Sequence, residues 1–484
     1  MKTISKFIHY LLFVIIFLGN GSLLQANNSE DNFVTLTIHL RGVYDSKITL
    51  MSLSVSRTSK TINEIPGIKN GQTTKITVSK DYLPGEFVLR FDYREKESST
   101  PYPSEKYFFI SKQDLELWVS PMYCNNSDST RFQKGERENA AFVEFSKENM
   151  KKKEKLGVLQ NFLMNYDDTE SKLYKEGIKE YETRRMAYNE WLAKREKQDD
   201  SLFISNMYCF QYVPEIVWKG NETDRINNLI AHYFDGMDFK DPLLIKTSSL
   251  NKWMDSYVNL YGQLAATVTL RDSLFPLAGK TAIEKALQGD PLVYGWMVDY
   301  FYKGFESNAI DAGMKALEPY LNDPNCLTSK RKEIGRRLKG METLVPGSKA
   351  PDISLKENEK AVFDLYAFTA PCKTILVLFW SANCSHCVEL ADKLHQWQQQ
   401  PDIRQKMEII AVSLDEIEAE VKIWEQKLPA LSGWKHLRAA EGINSKVAND
   451  YFVLATPVMI LMDAKTKEII SLPNTLSEIQ ASVK

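Results

Sequence analysis

Cysteine and histidine are scarce in this 484-residue chain, six of each, and their spacing excludes a good deal. There is no second Cys-x-x-Cys and no closely spaced histidine pair, so the four ligands of a structural zinc site are not at hand. Basic residues are not in excess. The 61 Lys and Arg stand against 63 Asp and Glu, dispersed to a net charge of −2, which argues against a nucleic-acid partner. No glycine-rich phosphate loop or dinucleotide fingerprint appears. After residue 26 no apolar run approaches the about 20 residues that span a bilayer.

What is present begins with a leader. Residues 1–26 carry Lys2 and Lys6, an apolar core from Phe7 to Leu18 and the segment Gly21-Ser22-Leu23-Leu24-Gln25-Ala26, the pattern of a signal peptide. The expected location is therefore the periplasm or cell envelope, with an N-terminal membrane anchor if the leader stays uncleaved. No cysteine lies near the cleavage region, so a lipid anchor is not indicated.

The remaining length suits about three domains of ~150 residues. In residues 32–125, Val34, Leu36, Ile38 and Leu40 alternate with polar residues, and Phe87, Leu89, Phe91 and Tyr93 repeat the pattern, which predicts a β-sandwich. Residues 139–342 read as an all-α domain. Tyr174, Tyr181 and Tyr188 recur every seven residues as a packing seam, and Asp290-Pro291 offers an N-cap and first-turn proline to the apolar stretch Leu292 to Phe305. Asp235, Asp238 and Asp241 recur every three residues but miss the calcium-loop spacing; turn and cap roles suit them better. Residues 346–484 alternate strands (374–379, 408–414, 457–461, 467–470) with helices (384–399, 416–427, 445–451), which predicts an α/β sheet with helices on both faces.

The chemistry concentrates in Phe379-Trp380-Ser381-Ala382-Asn383-Cys384-Ser385-His386-Cys387, a dithiol placed between an apolar strand and a helix. The free N–H groups and positive dipole end of a helix lower a thiol pKa, and two cysteines three positions apart share the first turn. Cys384, nearest the helix start, is the expected nucleophile and Cys387 the resolving thiol. A histidine beside a thiolate stabilises it, so His386 is expected to tune the couple. Downstream, Thr456-Pro457 opens an apolar strand where a missing N–H would be unwelcome; a cis bond there would free a backbone edge for an incoming peptide.

Together these motifs resemble the thioredoxin superfamily. Pro346-Gly347-Ser348-Lys349-Ala350-Pro351-Asp352 and the strands that follow look like the opening of TlpA-like and ResA-like thiol–disulfide oxidoreductases, over Val345 to Lys484. The region 32–125 and the stretch His232 to Leu244 resemble domains that accompany thioredoxin-like domains in Bacteroidetes envelope proteins. The resemblance implies an exported enzyme with no cofactor beyond its Cys384–Cys387 disulfide and no metal, acting on disulfides of envelope proteins, with Trp380, Thr456 and Pro457 at the substrate. It further implies a reductase linked to cytochrome c biogenesis and fed by a membrane thiol transporter of DsbD or CcdA type. Two alternatives stay open: a DsbA-like oxidant or isomerase, favoured by His386, and a binding or scaffold protein with a vestigial thioredoxin-like domain. The β domain is assigned binding or homodimer formation, against a spacer.

Several positions depart from the pattern. Leu378 stands where thioredoxin has a buried aspartate, Leu390 where ResA-like proteins carry a glutamate (with Glu389 adjacent), Asp392 where thioredoxin has a proline, and Asn383 in place of a tryptophan. Ser381 fits the peroxiredoxin motif but Val377 replaces its proline, so peroxidase chemistry is not expected. Cys124, Cys209, Cys326 and Cys372 allow two bridges in three pairings. Cys372 reads as a buried small residue rather than a regulatory thiol.

Overall fold

The computed structural model describes residues 32–53, 60–357 and 360–483; the expected leader, residues 1–26, lies outside them. The chain forms two compact units, one built up to Ala140 and the other from Ala141 onward.

The first unit is strand-rich: β1 (Phe33–Leu40), β2 (Asp45–Ser52), β3 (Lys60–Lys69), β4 (Thr73–Ser79), β5 (Gly85–Arg94), β6 (Tyr102–Ile110), β7 (Leu115–Val119) and β8 (Arg131–Phe132). They make two four-stranded sheets, ordered β4-β1-β7-β8 and β3-β2-β5-β6. Alternation decides which side chains go inward. Leu36, Ile38 and Leu40 of the first sheet and Leu50, Leu89 and Phe91 of the second are fully buried in one core.

The second unit starts with helices: α1 (Glu138–Asn165), α2 (Lys172–Gln198), α3 (Glu222–Ala231), α4 (Ser249–Leu264), α5 (Val268–Ala286), α6 (Pro291–Ser307), α7 (Asp311–Ala316), α8 (Glu318–Leu321) and α9 (Arg331–Thr343). The tyrosine stripe is a seam, as expected: Tyr174, Tyr181 and Tyr188 of α2 bury against Leu156 and Leu163 of α1 and against Trp218. Asp290 caps α6 by accepting from the Leu292 N–H at 2.8 Å. The spaced aspartates have local partners. Asp241 accepts from the Leu243 N–H at 2.8 Å, Asp238 from the Lys240 N–H at 3.0 Å, and Asp235 pairs with His232 at 2.7 Å. Among the described residues no helix is long and apolar enough to cross a membrane.

The C-terminal part of the same unit contains β9 (Ser354–Glu357), β10 (Lys360–Asp364), β11 (Thr374–Trp380), α10 (Ser385–Gln398), α11 (Pro401–Arg404), β12 (Met407–Ser413), α12 (Glu418–Lys427), β13 (Lys435–Arg438), α13 (Lys446–Asp450), β14 (Val458–Asp463), β15 (Ile469–Ser471) and α14 (Leu476–Ser482). Five strands form one sheet in the order β13-β12-β11-β14-β15, with β11 parallel to β12 and antiparallel to β14. β11 is the central strand and is buried on both faces, which is why it reads as an unbroken apolar run. Its Ile375, Val377 and Phe379 enter one core, and Leu376, Leu378 and Trp380 the other.

Helix α9 is clamped to this sheet region at the end of α13. There the Phe452 N–H donates to the Asn449 carbonyl at 3.1 Å and the Val453 N–H to the Ala448 carbonyl at 2.8 Å, a Schellman cap. The left-handed position of such a cap usually takes glycine, yet Phe452 holds it at φ 51°. The glycine lies across the interface instead. A Cβ on Gly340 of α9 would come within 2.8 Å of the Phe452 Cβ, and one turn earlier the Arg336 guanidinium donates to the Ala448 and Val453 carbonyls at 2.9 and 2.8 Å. Gly340→Ala is therefore expected to destabilise the second unit by about 1–3 kcal/mol through overpacking. Thermal unfolding followed by circular dichroism checks this; an unchanged midpoint would mean that α9 does not bear on Phe452.

Candidate active site

The site grows from the end of β11. Burial of Trp380 brings the chain to the sheet's C-terminal edge, and Ser381, Ala382 and Asn383 turn it into α10. Cys384 is the N-cap of that helix: its backbone is extended (φ −96°, ψ 111°), and its sulfur accepts from the Cys387 N–H at 3.3 Å. Cys384 is partly exposed, whereas Cys387, one turn in, is wholly buried. Burial pushes the Cys387 thiol up to about 11, and its contact with Cys384 adds to the rise. The polar influence of the Thr456 hydroxyl and the Ser381 backbone pulls the other way.

Two consequences follow for the reduced protein. Iodoacetamide at pH 8 is expected to modify Cys384 long before Cys387, as mass spectrometry of the timed reaction can read. Because the Cys387 pKa is raised on folding, its protonated thiol favours the folded state below pH ~9 and loses that preference as pH climbs through about 11. Cys387→Ala should therefore flatten the stability profile of the reduced protein between those pH values, measured by urea unfolding.

The Thr456–Pro457 peptide bond is cis. Among the described residues, the backbone of Leu454, Ala455 and Thr456 shows no hydrogen bond to the rest of the chain. His386 is exposed on the first turn of α10. Trp380 corrects the expectation of a substrate contact: it is wholly buried among Leu376, Leu378 and Met407, because its place at the end of β11 points it into the core. Glu389 is no buried proton acceptor either, since it sits exposed and pairs with Lys393 at 2.6 Å. Asp392 ties α10 to α12 through Lys427 at 2.8 Å.

One residue went unnoticed in the sequence. Asp415, just after β12, is fully buried and accepts hydrogen bonds from the Ser381 hydroxyl at 2.5 Å, the Ala382 N–H at 3.0 Å and the Ser413 hydroxyl at 2.8 Å. It holds the loop whose Ser381 carbonyl in turn accepts from the Cys384 N–H at 3.2 Å. The remaining cysteines lie elsewhere. Cys372 is at the opposite end of β11, roughly 20 Å of strand away, and its thiol donates to the Thr374 carbonyl at 3.2 Å while burial raises its pKa. Cys124, Cys209 and Cys326 are free thiols as well.

Beside the cis-proline loop opens a cleft of ≈ 520 Å³. Leu454, Thr456, Pro457 and Leu472 form one wall; α7, α9 and the connector Val345 form the other.

Residues 372–469 match the family model described as thioredoxin-like, so the C-terminal region is a thioredoxin-like domain. A thioredoxin-like protein from Bacteroides caccae ATCC 43185 aligns at 17% identity and TM-score 0.36, covering 56% of this chain and 96% of that one. A thiol-disulfide oxidoreductase from Bacteroides fragilis NCTC 9343 aligns at 19% identity and TM-score 0.24, covering 28% and 100%. The thioredoxin domain of a thiol-disulfide oxidoreductase from Bacteroides vulgatus aligns at 24% identity and TM-score 0.24, covering 29% and 99%. No curated protein matches the sequence.

Proposed function

We propose that this chain is an exported thiol–disulfide oxidoreductase that reduces protein disulfides in the cell envelope through Cys384 and Cys387, in the manner of TlpA-like proteins. The observation that carries the reading is the asymmetry of the pair: a partly exposed sulfur capping a helix, and a buried partner thiol raised to about 11. The Cys384 thiolate attacks one sulfur of a substrate disulfide, forming a mixed disulfide and releasing the other sulfur as a thiolate that takes up a proton. Cys387 then loses its proton and attacks the Cys384 sulfur, which releases the second substrate thiolate. Two electrons and two protons have passed to the substrate, and the Cys384–Cys387 disulfide remains. A dithiol donor must return it to the reduced state; a membrane thiol transporter of the DsbD or CcdA type has the required chemistry.

The high pKa of Cys387 delays resolution until the mixed disulfide has formed, since a buried neutral thiol is a poor nucleophile. Thr456 and Pro457 shape the edge that receives the peptide around the attacked sulfur. His386, exposed between the two cysteines, tunes the couple and is the feature that favours an oxidant. Apocytochromes are one class of substrate that such a reductase would serve. The strand-rich first unit is assigned binding or homodimer formation.

The deciding measurement is the equilibrium potential of the Cys384/Cys387 couple, titrated against glutathione buffers with thiol trapping. A value near −270 mV, about that of thioredoxin, supports the reductase; one near −120 mV, about that of DsbA, makes the protein an oxidant. Absence of any reversible couple would leave a binding protein.

A further inference from the structure

The two cysteines are held in different ways. Cys387 is packed in the core with Leu376, Leu378 and Leu394, so its surroundings fix its sulfur. Cys384 is only partly buried, and its place depends on the turn from Ser381 that leads into α10. That turn is tied along its length to one carboxylate. The Ala382 N–H donates to Asp415 at 3.0 Å, and the Asn383 N–H donates at 3.2 Å to the Ser381 hydroxyl, which itself donates to Asp415 at 2.5 Å. The Cys384 N–H closes the turn on the Ser381 carbonyl at 3.2 Å. Asp415 is in turn fixed to the sheet. It follows β12, where the Leu414 N–H donates to the Trp380 carbonyl at 2.9 Å; its own N–H donates to the Ser413 hydroxyl at 3.1 Å, and its carbonyl accepts from the Arg438 guanidinium at 3.4 Å. Burying a carboxylate is costly unless donors are placed for it, and two of its three donors belong to the active-site turn.

Resting on the oxidoreductase reading above, we propose that Asp415 is a positioning residue for the resolving step: it holds the turn so that the Cys384 sulfur stays in line for attack by Cys387. In that step the Cys387 thiol gives its proton to solvent and its sulfur bonds to the Cys384 sulfur. The bond between Cys384 and the substrate breaks, and its electron pair leaves on the substrate thiolate. An intramolecular displacement of this kind is fast when the reacting atoms are already aligned about 3–3.5 Å apart, and a misplacement of about 1 Å can cost on the order of 10²-fold. The first attack makes a weaker demand. There the substrate is free to approach the exposed side of Cys384 from whatever direction the sulfur presents. Loss of the brace is thus expected to slow resolution much more than attack, whereas a general loss of stability moves neither rate in the molecules that remain folded.

The test uses the full mature chain, reduced, and one equivalent of the mixed disulfide of glutathione with thionitrobenzoate. Cys384 attacks the glutathione sulfur and expels the thionitrobenzoate anion, whose absorbance gives the attack rate. Acid quenching and intact mass then follow the glutathione adduct as Cys387 displaces the glutathione thiolate, which takes up a proton. Asp415→Ala is expected to lower the ratio of resolution to attack about tenfold or more. Ser381→Ala removes only the hydroxyl between Asp415 and the Asn383 N–H; it should lower the ratio about threefold, and it serves if the first variant does not fold. Ser413→Ala removes the one donor outside the turn and should lose stability while keeping the ratio within about twofold of the parent. An unchanged ratio in the folded Asp415→Ala or Ser381→Ala chain overturns the proposal while leaving the oxidoreductase reading in place. So does a Ser413→Ala chain whose ratio falls as far as that of Ser381→Ala. A parent chain that expels no thionitrobenzoate, or never resolves the adduct, overturns the oxidoreductase reading itself.

Discussion

Replacing Cys384 with serine is expected to abolish turnover of a disulfide substrate, by on the order of 10³-fold or more, because no other exposed sulfur stands at the helix start to replace it. Cys387→Ser should behave differently. It keeps the attacking sulfur and loses only the group that resolves the intermediate, so it should react once and stop as a mixed disulfide. A glutathione-disulfide reduction assay with a recycling dithiol, paired with intact mass under non-reducing conditions, reads both variants. The assignment reverses if Cys387→Ser turns over and Cys384→Ser accumulates the adduct. Burial argues for the order given, since Cys387 has no access to solvent in which to meet a substrate.

The second large effect is expected at Asp415. Its carboxylate satisfies three donors inside the protein, and Asp415→Ala would leave the Ala382 N–H and the hydroxyls of Ser381 and Ser413 without that partner. Orphaned buried donors cost about 1–3 kcal/mol each, with partial relief as the hydroxyls turn, so a loss of about 3 kcal/mol is expected. Asp415→Asn keeps an acceptor oxygen for the Ala382 N–H and should lose less than half of that. Urea unfolding gives the stabilities, and the rate at which Cys384 is alkylated reports the loop. Equal stability of Asp415→Ala and the parent chain would show that the carboxylate does not hold the turn.

Much of the thioredoxin-like domain was legible because its signals are local. β11 announces itself as seven residues of apolar and β-branched type, and α10 as a capped amphipathic stretch directly after it. The cis Thr456–Pro457 bond followed from a proline at the head of a buried strand. β13 was missed because it is four residues long, pairs on one side only and carries Lys435, His436 and Arg438, so no alternation marks it. Trp380 was misplaced because its neighbours in sequence are the active-site loop, whereas its neighbours in space are the core. Asp415 lies 33 residues from the Ala382 N–H it holds, and nothing in its own segment points there. The cleft was the least legible feature, since its two walls are more than a hundred residues apart in the chain and become adjacent only through the packing of α9.

That packing has a consequence for how the protein can be cut. Arg336 and Gly340 hold the cap of α13, and the very next residues, Leu454 to Pro457, are the edge proposed above to receive the substrate. A fragment begun at residue 346, where the sequence leads one to expect the thioredoxin-like domain to start, would carry both cysteines and the whole five-stranded sheet. It would nonetheless be missing the splint on its own recognition loop. In this chain the border between the helical and thioredoxin-like sequences runs through a working joint, so the smallest portable piece with native selectivity is expected to begin upstream of α9.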